Sequence, residues 1–138
     1  MKNVFIDTNI LMDIFADRHP FIKSSLKIYN LGIKRKIKLF TTSNTITTLH
    51  YLLKKTISEE KTRMAIEHVL ENTTIISVDV NIIKKSLKSN HKDFEDAIQI
   101  VSAQSIHNMD CIITRDLKDY KHAEIKVLTP DDFLNTLN

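Results

Sequence analysis

A chain of 138 residues, 42% hydrophobic and 27% charged, has an ordinary globular composition; at about 150 residues per domain it predicts one unit spanning 1–138 and excludes a disordered chain. One cysteine, with no CxxC or Cys/His spacing, excludes a disulfide framework and a structural zinc site and fits a reducing cytoplasm. A net charge of +3 is too mild to be a nucleic-acid signature by itself, and no run approaches the about 18 apolar residues of a membrane span.

Asn3-Val-Phe-Ile6 reads as a strand ending at Asp7, and Asn9-Ile-Leu-Met-Asp-Ile-Phe15 as a helix. Pro20 suits the start of a second helix, with Phe21, Ile22, Leu26, Ile28 and Tyr29 as its stripe and an end near Gly32. Ile37 to Thr42 is a second strand. Ser43 or Asn44 is suited to cap the next helix, and Ser58 another that carries Met64, Ile66, Val69 and Leu70. Thr73 to Val78 reads as strand three, Val80 to Leu87 as a short helix and Asp93 to His107 as a longer one. Strand four is Cys111 to Thr114. A helical turn at 117–121 leads to a fifth strand, Ile125 to Leu128, and Thr129-Pro130 opens a terminal helix. This alternation predicts an α/β sandwich with a mostly parallel central sheet, whose ligands bind at the carboxyl ends of the strands.

The sole glycine, Gly32, rules out glycine-rich phosphate cradles. Acidic residues are better placed. Asp7 follows strand one, Asp116 and Asp119 follow strand four, and Asp93 and Asp96 share one side of a first helical turn. Carboxylates brought together repel one another and lose hydration, so such a cluster calls for a cation, and an all-oxygen set suits Mg²⁺ or Mn²⁺. Each aspartate also has a plainer reading: Asp7-Thr8-Asn9 as a capping turn, Asp93 as an N-cap with Asp96 favouring the helix dipole, and Asp116 and Asp119 as turn residues.

The segments Val4-Phe-Ile-Asp7-Thr8-Asn9, Asp93-Phe-Glu-Asp96-Ala-Ile-Gln99 and Ile113-Thr114-Arg115-Asp116-Leu-Lys-Asp119-Tyr120, in this order over nearly the whole chain, resemble the PIN-domain family, including VapC-type toxins. The resemblance implies a PIN-like three-layer sandwich of about five strands and a ribonuclease using Mg²⁺ or Mn²⁺. It implies Asp7, Asp96 and one or both of Asp116 and Asp119 as metal ligands; Asp93, one helical turn before Asp96, is a further candidate to assist them. Thr8, Asn9 and Thr114 match family positions that orient carboxylates and waters. A protein antitoxin and a homodimer are implied on the same grounds. Arg115, Lys118 and the basic run Lys34-Arg35-Lys36 are candidate RNA contacts, and His91 is a further candidate for a phosphate.

One departure stands out. Many family members carry an acidic residue in the helix after strand two, and here Thr48 occupies that place. Asp93 or Asp116 is a candidate replacement for the charge; the alternative is a catalytically decayed module that binds RNA or protein without cutting. A receiver-type phosphoacceptor built on Asp7 and Asp79 is a further reading, although no lysine ends strand five.

Overall fold

A computed structural model describes residues 1–138. Five strands, β1 (Lys2–Ile6), β2 (Ile37–Thr42), β3 (Thr74–Ile76), β4 (Cys111–Ile113) and β5 (Val127–Leu128), form one sheet in the order β3-β2-β1-β4-β5. Every adjacent pair is parallel, so the sheet is wholly rather than mostly parallel. Helices α1 (Thr8–Phe15) and α2 (Ile22–Ile33) join β1 to β2, α3 (Ser43–Leu53) and α4 (Glu59–Asn72) join β2 to β3, and α5 (Val80–Leu87) and α6 (Phe94–Gln104) join β3 to β4. A short 3₁₀ turn, Leu117–Tyr120, precedes β5, and α7 (Pro130–Asn135) follows it.

Side-chain alternation divides the core between the two faces of the sheet. Val4, Ile6, Ile37, Leu39, Cys111 and Ile113 face α1, α2, α3, α4 and α7. Phe5, Phe40 and Ile112 face the other way, toward Ile82 of α5, Ile98, Ile100 and Ala103 of α6, and Tyr120. The result is the expected three-layer sandwich. Each fully buried Leu, Ile or Phe contributes about 1.5–3 kcal/mol, and both faces are dominated by such residues.

Several boundaries differ from the sequence reading. Strand three shrinks from 73–78 to Thr74–Ile76, matching the Phe40–Thr42 stretch of β2 with which it pairs. Strand five keeps only Val127–Leu128, opposite Ile112 and Ile113 of the three-residue β4. The long helix covers Phe94–Gln104 rather than reaching His107. Thr42, not Ser43 or Asn44, caps α3, its hydroxyl accepting from the Thr45 N–H. Helix α2 begins at Ile22 and runs through Gly32, where a Cβ would collide with Leu39. The helix ends at Ile33, near Gly32 as expected, and the lone glycine permits close helix–strand approach.

The strand order changes direction between β1 and β4, whose chains leave the sheet toward opposite faces. A crevice opens at the carboxyl ends of the strands at such a switch point. Asp7 leaves β1 there, and Thr114 to Asp116 leave β4.

Candidate active site

Asp7 is held at the crevice floor by backbone and side chain together. Its N–H donates to the Ile113 carbonyl at 3.0 Å, tying the end of β1 to β4. The residue stands before α1, but its carboxylate makes no capping bond and is 3% exposed. It accepts instead from Gln99 Nε2 and Thr114 Oγ1, both at 2.9 Å. Burial raises its pKa, and those two bonds oppose the rise.

Above it, Asp96, Asp116 and Asp119 each direct a carboxylate oxygen into one space, the oxygens lying within 4.8 Å of one another. Local structure brings them there. Asp93 caps α6 by accepting the Asp96 N–H at 3.0 Å, which fixes Asp96 in the first helical turn. Asp116 caps the 3₁₀ turn by accepting the Asp119 N–H at 3.3 Å, and its own N–H donates to Thr114 Oγ1 at 3.0 Å. The reading of Asp93 as an N-cap, that of Asp116 as a turn residue and the clustering of the acids thus hold together.

The electrostatics are those of uncompensated acids. Desolvation, then the neighbouring Asp7 and Asp93 carboxylates, push Asp96 up to about 7, while the bond from Tyr120 pulls down. Asp119 is also raised, chiefly because its carboxyl shares a hydrogen bond with that of Asp116. An all-oxygen set of this kind suits a hard divalent cation, whose opposite ligands stand about 4 Å apart. Asp96, Asp116 and Asp119 therefore fit Mg²⁺ or Mn²⁺, with Asp7 deeper and Asp93 adding charge from its cap.

The remaining expected residues divide by location. Thr8 bonds Gln99 through both its N–H, at 3.0 Å, and its hydroxyl, at 3.2 Å; Asn9 is exposed in the first turn of α1. Lys118 is exposed beside Asp119 and lowers the pKa of that neighbour. Arg115 is engaged elsewhere, gripping buried Asp13 through Nε at 2.7 Å and a terminal nitrogen at 3.1 Å and lying 3.8 Å over the Phe21 ring. Lys34, Arg35 and Lys36 precede β2, at the amino ends of the strands and across the length of the sheet from the crevice. Half-buried Thr48 lies on α3 beyond Thr45. His91 packs beside His122, ring centroids 6.5 Å apart. Asp79 caps α5 after edge strand β3, with β2 between it and the Asp7 strand, so the receiver arrangement is not formed.

Two polar residues at the centre of the site were quoted in the sequence motifs without a role. Gln99 is 5% exposed and Tyr120 is 1% exposed. Gln99 Nε2 donates to the Tyr120 hydroxyl at 2.9 Å as well as to Asp7, and that hydroxyl donates to Asp96 Oδ1 at 3.3 Å. The available signal was chemical: a glutamine one turn after Asp96, on the helix face that carries Asp96, has no apolar reason to be buried.

Comparison with known proteins agrees with this architecture. The family model described as PIN domain matches residues 3–118. The chain is similar to Ribonuclease VapC1 of Aquifex aeolicus (strain VF5), 31% identical over 142 residues that cover 99% of this chain and 96% of the relative. Among solved structures, a toxin-antitoxin complex from Klebsiella pneumoniae contains a chain 27% identical with a TM-score of 0.65, covering 92% of this chain and 97% of that one. The DNA-bound VapBC of Salmonella typhimurium shares the fold, with a TM-score of 0.69, 14% identity, and 94% and 99% coverage. With its motifs in order along one parallel sheet and the family's pattern matched from Asn3 to Lys118, the chain belongs to the PIN-domain family.

Proposed function

We propose that the protein is a divalent-metal-dependent endoribonuclease acting as the toxin of a toxin–antitoxin pair. The observation that carries the reading is the convergence of Asp96, Asp116 and Asp119 within 4.8 Å over buried Asp7, with no cationic side chain bonded to any of the four. Family membership and the ribonuclease name of the 31% identical relative support the same conclusion.

Asp7, Asp96, Asp116 and Asp119 would hold Mg²⁺ or Mn²⁺, and Asp93 would strengthen the local negative potential. When bound, the ion supplies a Lewis acid for phosphate oxygens and an acidified water as nucleophile. The protein's own residues arrange the acids: Thr114 and Gln99 orient Asp7, and Asp93 and Asp116 fix the backbone turns that present Asp96 and Asp119. Lys118, exposed at the crevice rim, is the cation best sited to meet an RNA phosphate, and Arg115 serves by anchoring the segment after β4 to α1. The toxin–antitoxin name attached to the Klebsiella structure supports a protein antitoxin as partner; a homodimer working in the cytoplasm completes the reading.

The test is cleavage of a mixed single-stranded and structured RNA pool with Mg²⁺ or Mn²⁺, with and without chelator. Asp7→Asn and Asp96→Asn are each expected to lower the rate at least 100-fold, and chelator to abolish it. Equal cleavage by the natural protein and both variants would remove the acidic site from the chemistry. A folded natural protein that cuts nothing would favour the decayed module, with gain of cleavage in Thr48→Glu as its own test.

A further inference from the structure

Helix α3 carries no carboxylate, yet it reaches the site through an unbroken chain of hydroxyls. Thr42 Oγ1 and Thr45 Oγ1 are 3.0 Å apart, Thr45 Oγ1 and Thr8 Oγ1 2.9 Å, and Thr8 Oγ1 and Gln99 Oε1 3.2 Å. Thr42 and Thr45 are 0% and 2% exposed, so their hydroxyls must find partners within the protein.

The direction of every bond follows from the groups at the ends. The Thr8 N–H can only donate, and it meets one end of the Gln99 amide at 3.0 Å, which makes that end Oε1. The other end is then Nε2, and its two hydrogens go to the Asp7 carboxylate and the Tyr120 oxygen. A flipped amide would set donor against donor at Thr8 and oxygen against oxygen at Asp7. With Oε1 fixed as acceptor, the Thr8 hydroxyl proton points to it, the Thr45 proton points to Thr8, and the Thr42 proton points to Thr45. The Thr42 oxygen in turn accepts the Thr45 N–H at 3.0 Å. The Tyr120 oxygen, having accepted from Gln99, offers its proton to Asp96. Each hydroxyl in the series thus donates once and accepts once or more, and all four hydrogen-bonding positions of the Gln99 amide are used.

We propose that Gln99 and Tyr120 are positioning residues that set Asp7 and Asp96 for the cation, and that the chain Thr42–Thr45–Thr8 locks them from α3. Helix α3 then serves the site through Thr45, one turn before Thr48, with neutral hydroxyls in place of a carboxylate. Half-buried Thr48 takes no part in this network. The inference rests on the metal-binding reading above.

Direct Mn²⁺ binding, followed by the electron paramagnetic resonance signal of free Mn²⁺, tests it without reference to cleavage. Groups that orient metal ligands are worth about 10–100-fold in metal affinity. Tyr120→Phe removes one hydroxyl at nearly constant shape and is expected to weaken Mn²⁺ about tenfold. Thr45→Val, isosteric but without the hydroxyl, is expected to weaken it several-fold, while Thr45→Ser retains natural affinity and Thr48→Ala changes nothing. Thermal unfolding in chelator separates the roles: a purely structural Thr45 would lower the melting temperature of Thr45→Val and leave affinity intact below it. Natural Mn²⁺ affinity in folded Thr45→Val and Tyr120→Phe would overturn the proposal, as would loss in Thr45→Ser equal to that in Thr45→Val. Should Thr45→Val fail to fold, Tyr120→Phe and Thr45→Ser decide by the same criteria. A natural protein that binds no Mn²⁺ would instead refute the metal site itself, and with it this role.

Discussion

Two buried aspartates flank the first turns after β1 and are treated in opposite ways. Asp13, fully buried in α1, meets the Arg115 guanidinium in a two-point ion pair, with Arg18 a further 3.8 Å contact. Asp7, 3% exposed, has no cationic partner and accepts from the amide of Gln99 and the hydroxyl of Thr114. Burying a charge is costly unless it is paired. The fold neutralises Asp13 from within and leaves Asp7, with the three acids above it, to be neutralised from solution. That difference separates an aspartate that holds the structure together from one that is free to hold a ligand. It also explains the placement of Arg115: between the two acidic regions, its charge is spent on the structural one.

Breaking each half of this comparison should give opposite signatures. Arg115→Ala leaves Asp13 only the 3.8 Å contact with Arg18 and is expected to cost about 3 kcal/mol of stability, the lower end for breaking a buried pair because Arg115 is itself partly exposed and Arg18 remains. Urea unfolding in chelator measures it. Asp7→Asn should change that stability by less than about 1 kcal/mol, since an asparagine can accept from Gln99 and donate to Thr114, yet abolish Mn²⁺ binding. If Asp7→Asn destabilises as much as Arg115→Ala, the distinction between the two aspartates falls.

The acidic crevice has a pH signature that sharpens the contrast. The Asp96 carboxyl, pushed up to about 7 in the folded chain, keeps a proton that the unfolded chain releases near the ordinary carboxylate value. Its contribution to metal-free stability is therefore full below about pH 4 and is lost as pH rises through about 7. Asp96→Asn should melt higher than the natural protein at pH 8 in chelator, with the advantage shrinking to nothing by pH 4. Saturating Mn²⁺ should reverse the order at pH 8, because only the natural protein gains the ion. A stability difference independent of pH would show that Asp96 is not held neutral by its neighbours.

What the sequence disclosed and what it hid follow the range of the interactions. The strands were legible because Val4 to Ile6 and Ile37 to Thr42 are apolar over consecutive residues, and Asp7 was legible because it interrupts such a run. The Ser58 cap and the helix start at Thr129 rest on local hydrogen bonds and were read in place, whereas Asp79, read only as a phosphoacceptor, proves to be a cap of the same local kind. Helix α4 misled: Met64 and Leu70 are 63% and 48% exposed, whereas Thr62 is buried because its hydroxyl bonds the Ser58 carbonyl one turn back. Asp13 drew no role from the sequence because its partner lies 102 residues away. Gln99 and Tyr120 stood in quoted motifs, but Gln99 acts on Asp7 from 92 residues away, beyond any periodicity. The order of the acids along the chain was visible; the amide and hydroxyls that aim them required the sheet topology.

The smallest expected effect concerns the two ends of the sheet. The Lys34-Arg35-Lys36 turn is the densest basic run in the sequence, yet β1 and β2 run parallel from Lys2 and Ile37, so it stands at the amino ends of the strands while the acids stand at the carboxyl ends. Five residues of strand span about 16 Å, and a scissile phosphate at the acids is beyond the reach of these side chains. Ala at 34 and 36 with Gly at 35, where φ is 58° and glycine is at ease, should leave the RNA cleavage rate within twofold of natural. Each lost phosphate contact to a single strand lowers the slope of log affinity against log salt by about 0.7. Lys118→Ala, at the crevice rim, should show about one such step in binding of a non-cleavable RNA, and the triple variant none. A step in the triple variant would mean that the RNA wraps along the sheet to its far end rather than crossing the crevice alone.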